Sequence, residues 1–203
     1  MVYMKKVTAL VLALVLVLGI MSFASAAPSP TVAPTDGDST TDVNTEDHTN
    51  TTVTTKVSGD TAKVTKVESK DATVQFKNAK GADGSTVAIT SVEAKVFNSK
   101  SGRKIRTVNF ASSASNLVVK ANAFKGSNVK KIKFTGTKTT FNKNAFSGTK
   151  VKTVTMVFNS GSTVVFKKGS LKGITVKAKF EGLSAKEKKA LKKAIKSAGG
   201  KVK

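Results

Sequence analysis

Two stretches decide the reading: VKANAFKGSNVKKIKF at residues 119–134 and FNKNAFSGTKVKTVTM at residues 141–156. In each, an apolar residue (Val119, Phe141) stands five positions before a phenylalanine (Phe124, Phe146). That phenylalanine follows an alanine and is followed two residues later by a glycine (Gly126, Gly148). An apolar triad with the spacing L-x-x-L-x-L closes each copy: Val129/Ile132/Phe134, then Val151/Val154/Met156. Such a triad reads as a short strand with its apolar residues turned into a core. The Ala-Phe stretch builds another wall, and glycine permits the tight reversal between them. One copy cannot bury its own apolar face, so the copies must stack.

Weaker copies flank this pair. VEAKVFNSKSGRKIRTVNF from Val92 puts Phe97 in the place of the large residue and Ile105/Val108/Phe110 in the triad. FKKGSLKGITVKAKF from Phe166 uses Leu171 and Gly173 and, one residue short, offers Thr175/Ala178/Phe180. The large residues are 27, 22 and 25 apart, within the range of leucine-rich repeats. With Ala123-Phe124-x-Gly126 and Ala145-Phe146-x-Gly148 at its centre, the array over residues 87–180 resembles the BspA-like leucine-rich repeat family. Positions that are usually Leu, Ile and Cys in that family are largely Val, Phe and Ser/Thr here. The resemblance implies a secreted or cell-surface protein of adhesion or interaction type, and not an enzyme. Eight phenylalanines fall on the template, which makes them core by default; Phe76 and Phe158 fall outside it.

The expected fold class is α+β, a β-rich solenoid: a short leucine-rich-repeat array with caps at both ends. An N-terminal β cap over residues 56–86 includes a hairpin within 61–76 that turns at Lys70-Asp71, and Gly81–Gly84 is a further turn before a strand at Val87–Val92. The C-terminal cap over residues 181–203 opens on a capping box, Ser184-x-x-Glu187. An amphipathic helix follows, with the stripe Ala190, Leu191, Ala194, Ile195 and Ala198, ended by Gly199-Gly200; Val202 adds a last short strand.

Upstream lie two segments of other kinds. Residues 1–27 join a basic start (Lys5, Lys6), an apolar run and Ala24-Ser25-Ala26, the layout of a secretory signal peptide. The alternative is an uncleaved anchor helix, the one route by which this chain would touch a membrane through that segment. Residues 28–55 hold all three prolines, five carboxylates and no Lys or Arg. With no hydrophobic period, they read as a disordered Thr/Asp/Pro-rich spacer. His48, the single histidine, lies there.

Composition narrows the chemistry. The 203 residues contain no Cys and no Trp, and carry a net charge of +23. Disulfides, thiolate metal sites and a Cys nucleophile are excluded. From Lys56 on there is no His or Tyr, and the seven carboxylates show no catalytic pairing. No phosphate-cradling glycine loop occurs. The expectation is therefore no enzyme, no cofactor and no metal. Between Ala94 and Phe180 there are 19 basic residues and no acidic one. Parallel stacking of the triad strands sets their intervening residues in columns on a concave sheet, about 4.8 Å apart from strand to strand. The columns read Arg106, Lys130, Lys152; then Thr107, Lys131, Thr153, Lys177; then Asn109, Lys133, Thr155, Lys179. Arg106, Lys130, Lys131, Lys133, Lys152, Lys177 and Lys179 are the candidate ligand-binding residues.

Three functions compete. The first is a non-enzymatic surface module that binds an anionic cell-wall polymer, an acidic polysaccharide or a protein. The second is extracellular nucleic-acid binding through phosphate contacts, without aromatic stacking partners beyond core phenylalanines. The third is membrane action by the cationic C-terminal helix, whose apolar stripe is mostly alanine. Lysine as a guard of solubility is the alternative to all three.

Overall fold

The computed structural model describes residues 37–42, 51–81 and 83–203; for residues 37–42 it describes the backbone alone. The signal segment, most of the spacer and His48 lie outside the described residues. The strands are β1 (Gly37–Asp42), β2 (Thr51–Ser58), β3 (Thr61–Ser69), β4 (Thr73–Phe76), β5 (Asn78–Lys80), β6 (Thr86–Val92), β7 (Thr107–Phe110), β8 (Leu117–Val119), β9 (Lys131–Phe134), β10 (Lys138–Phe141), β11 (Thr153–Asn159), β12 (Thr163–Phe166), β13 (Thr175–Glu181) and β14 (Lys201–Val202). Among the described residues one α-helix, α1 (Ala185–Ser197), precedes β14, and a single 3-10 turn spans Gly102–Lys104.

From β6 onward the chain alternates between two sheets. Sheet A runs β1-β2-β3-β6-β8-β10-β12 with β5 beside β6, and sheet B runs β14-β13-β11-β9-β7-β4. The ladders β3/β6, β6/β8, β8/β10 and β10/β12 in sheet A are parallel, as are all those of sheet B. A parallel stack whose chain crosses repeatedly from one sheet to the other is a solenoid-like, sheet-rich arrangement, with one C-terminal α-helix among the described residues. The residues that open the four sequence copies are in register: Val92 pairs with Val119, Val119 with Phe141, and Phe141 with Phe166.

The wall between the sheets has its own stack. Phe97, Phe124 and Phe146 lie one over the next at centroid distances of 5.3 and 4.4 Å. Each follows a residue with positive φ two positions earlier: Lys95 at 61°, Asn122 at 60° and Asn144 at 63°. Asparagine tolerates that left-handed conformation better than most residues, and the last coil uses Gly169 there. The backbone N–H groups of Lys95, Asn122 and Asn144 each donate to the carbonyl of the next residue in this column. Phe141 of sheet A meets Phe110 and Phe134 of sheet B edge-on at 6.0 Å and stacks on Phe146 of the wall. All three sides thus share one core.

Sheet B corrects the sequence register. Phe76, Phe110, Phe134, Phe158 and Phe180 form a continuous ladder with centroids 5.7, 5.9, 5.4 and 5.7 Å apart. Phe76 and Phe158, which the template left out, are two of its five rungs. Ile132 pairs with Met156, not with Val154, so β11 sits two residues away from the expected alignment. Ring-on-ring contact explains the choice, since aromatic pairs add about 0.5–1.5 kcal/mol beyond area burial. The shorter register would set Met156 beside Phe134 and leave Phe158 out of the stack. In the last copy the first inward residue is buried Ile174, not Thr175, and the inward row continues through Val176, Ala178 and Phe180.

The N-terminal side differs as well. The hairpin is β2/β3, turning at Gly59-Asp60, and β4 belongs to the other sheet. Gly59 takes a φ of 54°, and Thr61 Oγ1 donates to the Ser58 carbonyl across the turn. At the expected Lys70-Asp71 turn, the Asp71 N–H donates to Ser69 Oγ instead, and the chain crosses to sheet B. Strand β2 starts at Thr51, inside the segment read as spacer. Thr51, Val53 and Thr55 are buried there, so period-two alternation holds in a run too rich in threonine to show it by hydrophobicity. At the other end Ser184 and Glu187 form the expected capping box. Ile195 and Ala198 are buried and Leu191 packs on the core, while Ala190 is exposed.

Candidate functional site

Inward residues of sheet B are apolar, and the alternate residues form its outer face, where Val157 alone of the two rows below is itself buried. In register across the sheet, one outward row reads Thr73, Thr107, Lys131, Thr155, Lys177, and the next reads Gln75, Asn109, Lys133, Val157, Lys179. The β4–β7 end is neutral and paired with itself: Asn109 Nδ2 donates to Gln75 Oε1 at 3.3 Å, and Thr135 Oγ1 donates to Asn109 Oδ1 at 3.0 Å. The β9–β13 end is cationic. Lys133, Lys177 and Lys179 are exposed and Lys131 is partly so.

The expected columns are only partly right. The register change sets Thr155, not Thr153, between Lys131 and Lys177, and sets Val157, not Thr155, between Lys133 and Lys179. Lysines of β9 and β13 therefore stand two strand spacings apart, roughly 10 Å, with neutral β11 between them. At that distance in water, repulsion between unit charges is about 0.4 kcal/mol, and physiological salt screens it further. The face can hold its lysines without an obligatory counter-charge.

Arg106, Lys130 and Lys152 precede their strands and are exposed. The Lys130 carbonyl accepts from the Thr155 N–H, and the Lys152 carbonyl accepts from the Thr175 N–H. Arg106 is turned inward on its own chain: its Nη1 donates to the carbonyls of Arg103, Lys104 and Ile105 at 2.7, 3.1 and 3.3 Å. Of the seven candidates it is the one whose charged head is engaged. Among the described residues no carboxylate lies within ion-pair distance of any of the seven, whereas Lys66 pairs with Glu68 at 3.0 Å on the hairpin. Among the described residues of the β9–β13 strands, Glu181 is the lone carboxylate, two residues beyond Lys179 on β13.

The face is not smooth. Thr153 and Val154 pair with Thr175 and Val176 of β13, but the ladder with β9 begins only at Thr155. Where β9 and β11 part, an open cleft of about 460 Å³ lies among Lys130, Val151, Lys152, Thr153, Thr155 and Lys177. It gathers three of the expected site residues. Thr153 and Thr155 stood in the expected outer columns without being named as site residues, and Val151, expected to point inward, also lines the cleft. The signal available in the sequence for the offset of β11 was the alternation Val154-x-Met156-x-Phe158, which continues one apolar position past the triad.

Among the described residues no group of His, Cys, Asp or Glu could hold a metal ion, and no helix is long and apolar enough to cross a membrane. Fold and face together define a sheet-rich protein of parallel stacked strands with one strongly cationic sheet surface. Compared with family models, curated proteins and solved structures, the chain matches none.

Proposed function

We propose that this protein is a secreted or surface-associated, non-enzymatic binding module of the BspA-like leucine-rich repeat type, which holds an anionic polymer on the outer face of sheet B. One observation carries the reading: Lys130, Lys131, Lys133, Lys152, Lys177 and Lys179 share one end of that face with a single carboxylate at its margin. A surface made only for solubility mixes both signs. Secretion rests on the three-part layout of residues 1–27, and the repeat assignment rests on the Ala-Phe-x-Gly copies. Cell-wall polymer or acidic polysaccharide fits an exported chain better than nucleic acid does, because every described phenylalanine is buried or packed on the core and none is free to stack on a base.

The test is cosedimentation with purified Gram-positive cell walls at stepped salt. Retention that falls steeply as salt rises is the expected result, and no retention at low salt overturns the reading. A chain carrying Lys130→Gln, Lys131→Gln, Lys133→Gln and Lys152→Gln is expected to stay folded and lose most of its retention. On a duplex DNA probe of charge alone, each phosphate contact removed should lower the salt slope by about one unit.

A further inference from the structure

The cleft between β9 and β11 has a more definite chemistry than the face around it. Its polar side chains are all able to donate: three ammonium groups (Lys130, Lys152, Lys177) and the hydroxyls of Thr153 and Thr155. Among the described residues neither hydroxyl has another partner. The backbone adds one more donor. Thr155 donates its N–H to the Lys130 carbonyl on the β9 side. Thr153, two residues earlier on the same strand, points its N–H to that side too. The β9 ladder has not yet begun there. Val151, half-buried, is the apolar wall.

We propose that this cleft is a subsite for the phosphoryl group of a polyol phosphate ester, so that the polymer held by sheet B is a phosphodiester chain and not a polycarboxylate. The inference rests on the polyanion-binding reading above and narrows it. A carboxylate is planar and is best met by the planar fork of arginine. The cleft has no arginine, and neighbouring Arg106 spends its guanidinium on three backbone carbonyls. Lysine meets phosphate as a point charge, and a tetrahedral oxyanion is best served by donors that converge from several directions, as ammonium, hydroxyl and strand N–H do here. Three cations and two hydroxyls with no carboxylate among the lining residues can meet the four oxygens around a phosphodiester phosphorus from several sides, where a carboxylate offers two oxygens in one plane. Val151 suits the carbon chain of an ester. Lys131, Lys133 and Lys179, outside the cleft, would meet the phosphates of adjoining units.

The experiment compares poly(glycerol phosphate) with polygalacturonate of matched charge, using the full chain. Three variants are tested: K130Q/K152Q/K177Q in the cleft, K131Q/K133Q/K179Q outside it, and T153V/T155V. The two lysine triples remove the same charge. The cleft triple is expected to weaken poly(glycerol phosphate) binding at least tenfold more than the outer triple, with both affecting polygalacturonate alike. T153V/T155V, which keeps β-branched residues in the strand, is expected to lower the preference for the phosphate polymer several-fold with the salt dependence unchanged. Free glycerol phosphate should displace the polymer where sodium chloride of equal ionic strength does not; displacement by inorganic phosphate with equal potency would remove the ester from the proposal. Equal weakening of both polymers by both triples, with no effect of the threonine pair, overturns the subsite and leaves polyanion binding standing. Failure of the unaltered protein to bind either polymer overturns both.

Discussion

Thr139 occupies a core position in sheet A, between Leu117 of β8 and Val164 of β12. It is fully buried, and its hydroxyl has no hydrogen-bond partner among the described residues. An unpaired buried hydroxyl costs roughly 1–3 kcal/mol. Thr139→Val keeps the shape and removes that cost, so the variant should be more stable by about 1 kcal/mol. A higher urea midpoint with an unchanged slope would show it; a lower midpoint would mean that the hydroxyl is satisfied. Phe158 is the opposite case, a residue that looks incidental in the sequence and is central in the core. Its ring lies between Phe134 and Phe180. Phe158→Ala should cost about 3–5 kcal/mol, the range for a buried aromatic emptied to a cavity. A loss under 1 kcal/mol would place the true register back at Met156.

Among the elements, α1 is the one whose beginning is written most openly. Ser184 Oγ accepts from the Glu187 N–H, and the Glu187 carboxylate accepts from the Ser184 N–H. Hydrogen bonds from the Ser184 side chain and then from its backbone hold the Glu187 carboxyl below its ordinary value of 4.5. A carboxyl lowered in the folded state stabilises it above the unfolded value and loses that contribution as pH falls from about 4.5 through the folded value. Glu187→Gln should therefore flatten the acid side of the stability curve below pH 5 and leave the neutral limb with the same shape. Unfolding followed by circular dichroism at pH 3 and pH 7 reads this directly. Capping boxes and Ala-Phe turns were legible because they are local: the residues that make them stand three to five apart. The β2/β3 hairpin and the offset of β11 were not, because both are decided by partners far along the chain. Thr51–Thr55 becomes a strand by lying against β3, and β11 shifts to keep Phe158 among rings from β9 and β13. The cleft shares that fate. Its lysines could be named from charge alone, but Thr153, Thr155 and Val151 join them only after the tertiary register is set.

At the scale of the whole molecule, stability is a sum of coils and the joints between them. The two sheets stop out of step: β12 is the last strand of sheet A, while sheet B continues through β13 and β14. Helix α1 closes the difference, with Ile195 and Ala198 buried in the common core and Lys192 set over the Phe180 ring at 5.8 Å. Val165 on β12 is already 40 % exposed. Removing residues 182–203 should uncover Phe166 and Phe180 and make the chain self-associate. Gel filtration across a concentration series would detect this, and a monodisperse truncated chain would assign the helix no capping role.

Stacked copies that resemble one another carry a hazard of their own, since a coil can settle on the wrong neighbour and leave a plausible but mistaken structure. Measured from ring to ring along sheet B, the coils are unequal: Phe76 to Phe110 is the longest, Phe158 to Phe180 the shortest, and the two between them are alike. If β13 docked directly on β9, Val176 would face Ile132 acceptably, but the excluded strand would carry Val154, Met156 and Phe158 into water together. Uneven coil length thus works as a key cut to a single lock, penalising slippage by a whole repeat during folding and marking each strand's place in the order of assembly.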